Sequence, residues 1–258
     1  MIDLTDPAVI GEALDAFAVA QHPARGDERY LHASDLGKCD RETWARRTAH
    51  PKYDGRIDAN TARIFSEGYE IEDRVLKGLN AAGAGFERGV RVAASIHGFA
   101  SIGGAVVGEA YVPEARDVLG HPDGVNEDTL LEVKSTKTFY GGPPTLRDVE
   151  AQSKQYLLQS STYALALGKP RGLLIVESKA TGEQSHLPFD PRAYEGDVVR
   201  RIIEAQYTTT LDVEPPPTLH PWTYRRDGTS WLCDYCQYFG CKFNTRRLQH
   251  EYFTSNPA

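Results

Sequence analysis

Apolar positions recur every three to four residues over about 6 to 21, 35 to 48, 60 to 81, 147 to 168 and 191 to 207, which predicts helices there. Ser34-Asp35, both good N-cap types, open the second of them. Alternating or continuous apolar runs near 88 to 95, 100 to 112, 117 to 125, 129 to 136 and 172 to 178 predict strands, and 184 to 189 reads as a return strand after Thr181-Gly182. Strands interleaved with helices predict an α/β layered core. Pro215-Pro216-Pro217 ends the last helix and stiffens the chain into an extended linker to a C-terminal module. No internal repeat or low-complexity tract interrupts the pattern. The expected organisation is therefore one continuous fold, with an N-terminal helical segment over 1 to 60, a core over 61 to 210 and the module over 211 to 258.

Composition narrows the class without changing that picture. With 258 residues, 40% hydrophobic and 25% charged, the chain reads as an ordinary soluble globular protein large enough to bury a substantial core. No apolar run approaches the ~20 residues that cross a bilayer. Met1-Ile2-Asp3-Leu4-Thr5-Asp6 also lacks the basic and apolar regions of a signal sequence, so the expected setting is cytoplasmic. A net charge of -7 opposes general attraction to a polyanion, which makes the distribution of cations the informative quantity. Arg41, Arg46, Arg47 and Lys52, then Arg225-Arg226, then Lys242, Arg246 and Arg247 form clusters near the cysteines, where a nucleic-acid path would run.

The strongest chemical signal lies in the strand pair. Gly120-His121-Pro122-Asp123-Gly124-Val125 is followed, after the turn residues Asn126-Glu127-Asp128, by Leu131-Glu132-Val133-Lys134. Residues two apart on a strand share a face at roughly 7 Å, so Glu132 and Lys134 project together while Leu131 and Val133 turn into a core. The turn would return Asp123 to the side of Glu132. Two carboxylates hold a hard divalent cation through oxygen, and the ammonium orients water and offsets phosphate charge. That chemistry suits phosphodiester hydrolysis.

Two helices add to the set. Around Glu72 the helical neighbours are Gly68, Tyr69, Val75 and Leu76, none charged, so Glu72 is expected to face inward, where it needs a cation or an inward Lys or Arg. The neighbours of Glu70 are polar, which places it in solvent. Gly68 would let the strands approach the helix closely. On the helix over 147 to 168, Gln152, Gln155, Tyr156, Gln159 and Tyr163 share one face, and the pair Gln159 and Tyr163 is positioned to hold the lysine, contact a phosphate or stack a base. The aromatic pair in Thr138-Phe139-Tyr140-Gly141-Gly142-Pro143-Pro144 is a further base-stacking candidate beside ordinary turn duty.

Cys233-x-x-Cys236 and Cys241 put three thiols close together, and Cys39 is the only other cysteine. Four thiolates complete a zinc or iron-sulfur site that would staple the two ends of the chain over the core; two disulfides or a redox CxxC are the alternatives.

Gly68-x-x-x-Glu72, Gly120-x-x-Asp123, Glu132-x-Lys134 and Gln159-x-x-x-Tyr163, in that order, resemble the RecB-like branch of the PD-(D/E)XK nuclease superfamily. One early and three late cysteines look like its iron-sulfur members, the CRISPR-associated RecB-like exonucleases and their bacteriophage relatives. The likeness runs from about Ser34 to Cys241. It implies a restriction-endonuclease-like α/β/α core and exonuclease action on DNA, the expected substrates being single-stranded DNA or DNA with accessible ends. It also implies Mg2+ or Mn2+ on Glu72, Asp123, Glu132 and the Val133 carbonyl, with Lys134 as catalytic lysine and Gln159 and Tyr163 beside it. A [4Fe-4S] cluster is implied on Cys39, Cys233, Cys236 and Cys241, with structural Zn2+ as the alternative. Many relatives carry His where this chain has Glu72, and Glu moves the preference toward the harder Mg2+. The setting implied is the cytoplasm of a bacterium or a phage-infected host. Two other functions compete: a non-catalytic DNA-binding or scaffold protein with a structural metal cluster, and an endonuclease or nickase of the same superfamily.

Overall fold

The computed structural model describes residues 7–22, 30–55, 57–94, 105–106, 118–139, 141–217, 233, 236–238 and 241. The architecture is mixed α/β, as the interleaved pattern predicts. Helix α1 (Pro7–Ala20) and strand β1 (Leu31–His32) lead into a 3-10 turn (Ala33–Gly37), then α2 (Asp40–Arg47) and the long α3 (Ala59–Ala81). Next come β2 (Val92–Ala94), β3 (Ala105–Val106), β4 (Val118–Gly120), β5 (Gly124–Val125) and β6 (Thr129–Thr136). Helices α4 (Leu146–Gln152) and α5 (Lys154–Ala166) precede β7 (Arg171–Ser178) and β8 (Gln184–Phe189). A second 3-10 turn (Pro191–Tyr194) then opens into α6 (Glu195–Thr209).

The strands form two sheets, ordered β1-β4-β2-β3 and β5-β6-β7-β8. In the second, β6 runs parallel to β7 from Thr129 opposite Arg171 to Thr136 opposite Ser178, and β5 and β8 flank this pair antiparallel. Both faces of β6 and β7 are covered, which explains their nearly continuous apolar character. Leu131, Val133 and Ile175 pack with Ile71, Val75 and Leu76 of α3. On the other face Leu130, Leu174 and Val176 join Leu157, Leu158 and Ala164 of α5, in a cluster that continues to Val198 and Ile202 of α6. Each such side chain withdrawn from water contributes about 1.5–3 kcal/mol. Glu132 and Lys134 alternate with the α3-facing residues and so share the α5-facing side.

Several expected elements differ in extent. The helix expected over 147 to 168 is two helices, because Ser153 leaves helical geometry (φ -150, ψ 36) while its N–H donates to the Val149 carbonyl at 2.8 Å. The break seats α5 flush on the first 3-10 turn, where a Cβ on Gly37 would lie 1.9 Å from Gln155 Cβ. The strand expected over 117 to 125 divides at His121-Pro122-Asp123: proline has no N–H for the ladder, so β4 pairs in one sheet and β5 in the other. The strand expected over 88 to 95 shortens to Val92–Ala94. Of the strand expected over 100 to 112, Ala105–Val106 pairs with β2, and the remainder lies outside the described residues. No helix among the described residues is long and apolar enough to cross a membrane.

Two expectations about particular residues are corrected. Gly68 is not a close-approach glycine, since a Cβ there would meet only Ser135 Oγ at 3.9 Å. The three arginines of the first basic cluster are used within the fold and do not form an open nucleic-acid path, whereas Lys52 is exposed. Arg46 is buried on Asp35 and on the Tyr30 carbonyl. Arg41 pairs with Glu214 at 3.0 Å and donates to the Pro215 carbonyl, while Arg47 donates to Thr209 Oγ1. Arg225, Arg226, Lys242, Arg246 and Arg247 lie outside the described residues.

Candidate functional site

Asp123 stands where the chain passes from one sheet to the other. The turn that follows closes as predicted: Asn126 Oδ1 accepts from the N–H groups of Asp128 and Thr129, at 3.3 and 2.9 Å. This returns β6 antiparallel to β5, and the Val133 N–H donates to Asp123 Oδ2 at 2.6 Å. Glu132, the residue before that amide, is 0% exposed. Lys134 Nζ lies 2.5 Å from Glu132 Oε1 and 5.6 Å from the centre of the Tyr156 ring. Glu132 Oε2 is buried with no hydrogen-bond donor among the described residues.

The fourth predicted residue arrives from α3. Glu72 keeps 14% of its side chain exposed, faces the field of Asp123 and Lys134, and accepts a hydrogen bond from Arg88 at 2.7 Å. Glu70 is exposed, as expected from its neighbours. Glu72, Asp123, Glu132 and Lys134 therefore converge. Arg88 was not legible in the sequence, because it carries no motif and the strand expected from 88 begins only at Val92, which leaves it in a loop.

Electrostatics follow from crowding acids into a buried space. Burial first, then Asp123, raises the Glu132 carboxyl to about 8 against the opposing pull of Lys134. Asp123 is also raised by burial, with Lys134 and the Val133 amide opposing. Glu72 is raised by burial and by Asp123, and Arg88 works against both. Burial alone would lower the Lys134 ammonium, but Glu132 and Asp123 outweigh it and hold Lys134 firmly protonated.

The Gln159 and Tyr163 pair lies on the α5 side of this group. Tyr163 is buried, its hydroxyl is 3.5 Å from Gln159 Nε2, and its proton is held by burial and by the charge of Glu132. Its ring fills the space that a side chain at position 120 would need: a Cβ on Gly120 would fall 2.2 Å from the Tyr163 hydroxyl. Gln152 lies beyond the Ser153 break and is exposed, so it leaves the polar stripe, and the Gln155 amide is buried against the first 3-10 turn. Phe139 packs on the core, and Tyr140 lies outside the described residues.

The cation-binding chemistry has the right donors without a finished cage. Among the described residues, no three His, Cys, Asp or Glu side chains stand as a ready metal-ligand group. At the acidic site one oxygen of each carboxylate is engaged within the protein, Glu72 Oε1 by Arg88, Glu132 Oε1 by Lys134 and Asp123 Oδ2 by the Val133 amide. The donor-less oxygen of Glu132 and the three mutually repelling carboxylates fit a hard divalent ion.

None of the four cysteines forms a disulfide, which is against the two-disulfide alternative. Cys39 and Cys241 lie within the electrostatic reach of Cys236, whose thiol is pushed up by burial and by Glu42. Trp44, Tyr53 and Tyr238 wall the same place, and Arg41 Nη1 donates to Cys241 Sγ at 3.3 Å. An early and a late segment of the chain meet here, through hydrogen bonds from the Asp54 N–H to the Gln237 carbonyl and from Trp44 Nε1 to the Leu211 carbonyl. The donor chemistry fits a thiolate-bound metal group, although the sulfurs do not form a closed ligand cage.

No family model and no curated protein matches the chain. Among solved structures, SSO0001 aligns over 91% of this chain and 97% of its own, at 17% identity and a TM-score of 0.53. That likeness is one of fold. An alkaline exonuclease from Laribacter hongkongensis aligns over 77% of this chain and 94% of its own, at 14% identity and a TM-score of 0.35. Its complex with dAMP gives 13% and 0.36, and both scores are too low to establish a common fold.

Proposed function

We propose that the protein is a divalent-metal-dependent deoxyribonuclease, acting as an exonuclease on single-stranded DNA or on DNA with accessible ends. The observation that carries this reading is Glu132, fully buried between Asp123 and Lys134 with one carboxylate oxygen that finds no donor among the described residues. A carboxyl so placed keeps its proton near neutral pH unless a cation displaces it. Glu72, Asp123 and Glu132, with the Val133 carbonyl as a further ligand, would hold that cation, and oxygen donors suit Mg2+ or Mn2+. When bound, the ion supplies Lewis-acid activation of the scissile phosphate and of water.

The chain's own residues complete the chemistry. Lys134, steadied by Glu132 and by the face of Tyr156, presents a fixed positive charge where negative charge builds on the phosphate. Tyr163 stays neutral and, with Gln159, braces the strand through Gly120. Cys39, Cys233, Cys236 and Cys241 would hold a [4Fe-4S] cluster, or Zn2+ in its place, as a staple between the two ends of the chain.

End-labelled single- and double-stranded DNA, incubated with the protein in Mg2+, Mn2+ or EDTA, tests the reading. Ladders from one end are expected with metal, none in EDTA, and none from Asp123→Ala. Cutting of closed circles would make it an endonuclease, and binding without cutting a DNA-binding scaffold. Cleavage by Asp123→Ala at the wild-type rate would remove the site assignment.

A further inference from the structure

We propose that Arg88 is a positioning residue that acts through Glu72, holding one of its carboxylate oxygens so that the other is presented to a divalent cation. The inference rests on the metal-site reading above. Arg88 spans two consecutive acids of α3, with Nη2 donating to Glu72 Oε1 at 2.7 Å and Nη1 to Asp73 Oδ1 at 3.1 Å. A guanidinium presents its donors in a rigid fork, so this two-point contact fixes its plane as well as its distance. Glu72 Oε1 is thereby occupied, while the carboxylate remains in the field of Asp123.

An arginine 43% exposed gains little from an ordinary surface ion pair. What separates Arg88 from that case is how firmly its backbone is held. Asn80, on the last turn of α3, makes both side-chain hydrogen bonds to Phe86: its Nδ2 donates to the Phe86 carbonyl at 2.8 Å, and its Oδ1 accepts from the Phe86 N–H at 2.7 Å. Glu87 then forms a two-bond bridge with Val125 of β5, at 2.7 and 2.9 Å. Asn126 Nδ2 adds a bond to the Ala84 carbonyl at 2.9 Å. The loop is stitched to α3 at one end and, two residues from Asp123, to the strand that carries it. The guanidinium is thus carried on a loop that is itself tied to both α3, which supplies Glu72, and β5, which follows Asp123. Hydrogen-bonded support of this kind typically changes metal affinity 10- to 100-fold when removed.

The test is calorimetric titration of Mn2+ into wild type, Arg88→Ala and Arg88→Lys without DNA, with thermal melting to check the fold. Arg88→Ala should weaken Mn2+ binding about tenfold or more, and Arg88→Lys, which keeps one charged donor, should fall between. In a Glu72→Gln background, Arg88→Ala should have no further effect. Unchanged or tighter Mn2+ binding by Arg88→Ala, or a full additive loss in the Glu72→Gln background, overturns the assignment to Arg88 alone. A wild-type protein that binds no Mn2+ overturns the metal site itself.

Discussion

Replacing Glu132 by Gln puts an isosteric amide where a buried carboxyl stands, and the amide has no proton to lose. In the unfolded chain the carboxyl titrates at its ordinary 4.5, whereas in the fold burial and Asp123 raise it to about 8. The folded protein binds that proton more tightly than the unfolded one. Its contribution to stability is therefore complete below pH 4.5, erodes as pH rises and is lost above about 8. At about 1.4 kcal/mol per pH unit the loss across that window reaches roughly 5 kcal/mol, comparable with the whole stability of a small domain. Glu132→Gln is exempt from this loss. Urea denaturation in EDTA, from about pH 5 to about pH 9, should show the two proteins drawing apart with rising pH, the variant becoming the more stable by several kcal/mol. Mg2+ should close most of the gap at high pH by stabilising the wild type alone, since a bound cation takes the place of the proton. A difference that stays constant with pH would refute the assignment of a buried, proton-holding carboxyl at this position.

Two further outcomes check the surroundings. Gly120→Ala drives a methyl group into the Tyr163 ring and should destabilise by about 1–3 kcal/mol in urea denaturation; adding Tyr163→Ala should recover part of that loss, and simple addition of the two losses would contradict the packing. The purified wild type should show visible absorbance that Cys236→Ser loses together with solubility, whereas a colourless protein with bound zinc would exclude the iron-sulfur cluster.

Much of the fold was legible because its elements have strong periods. The β6 and β7 runs, covered on both faces, and the α3 stripe of Ile71, Val75 and Leu76 state their structure locally. The convergence of Glu72, Asp123, Glu132 and Lys134 was legible too, from strand alternation, an Asx turn and the uncharged neighbours of Glu72. What was not legible depends on distant contacts. Ser153 breaks a helix that periodicity alone would continue, because α5 has to meet Gly37. Arg41 and Arg46 look like a basic surface in sequence, yet their partners Glu214 and Asp35 are brought to them by the fold. Arg88 reaches the site by way of Asn80 and Val125, a route no spacing rule describes.

The passage of residues 118 to 125 through both sheets bears on when such a site comes into being. Asp123 occupies the seam: β4 on one side of it is anchored in the first sheet and β5 on the other in the second. Every acid of the set comes from the second sheet, from the turn that enters it or from α3 packed against it, so on the proposed reading the site takes shape with that sheet, and the first sheet acts on it only through the tether at Asp123.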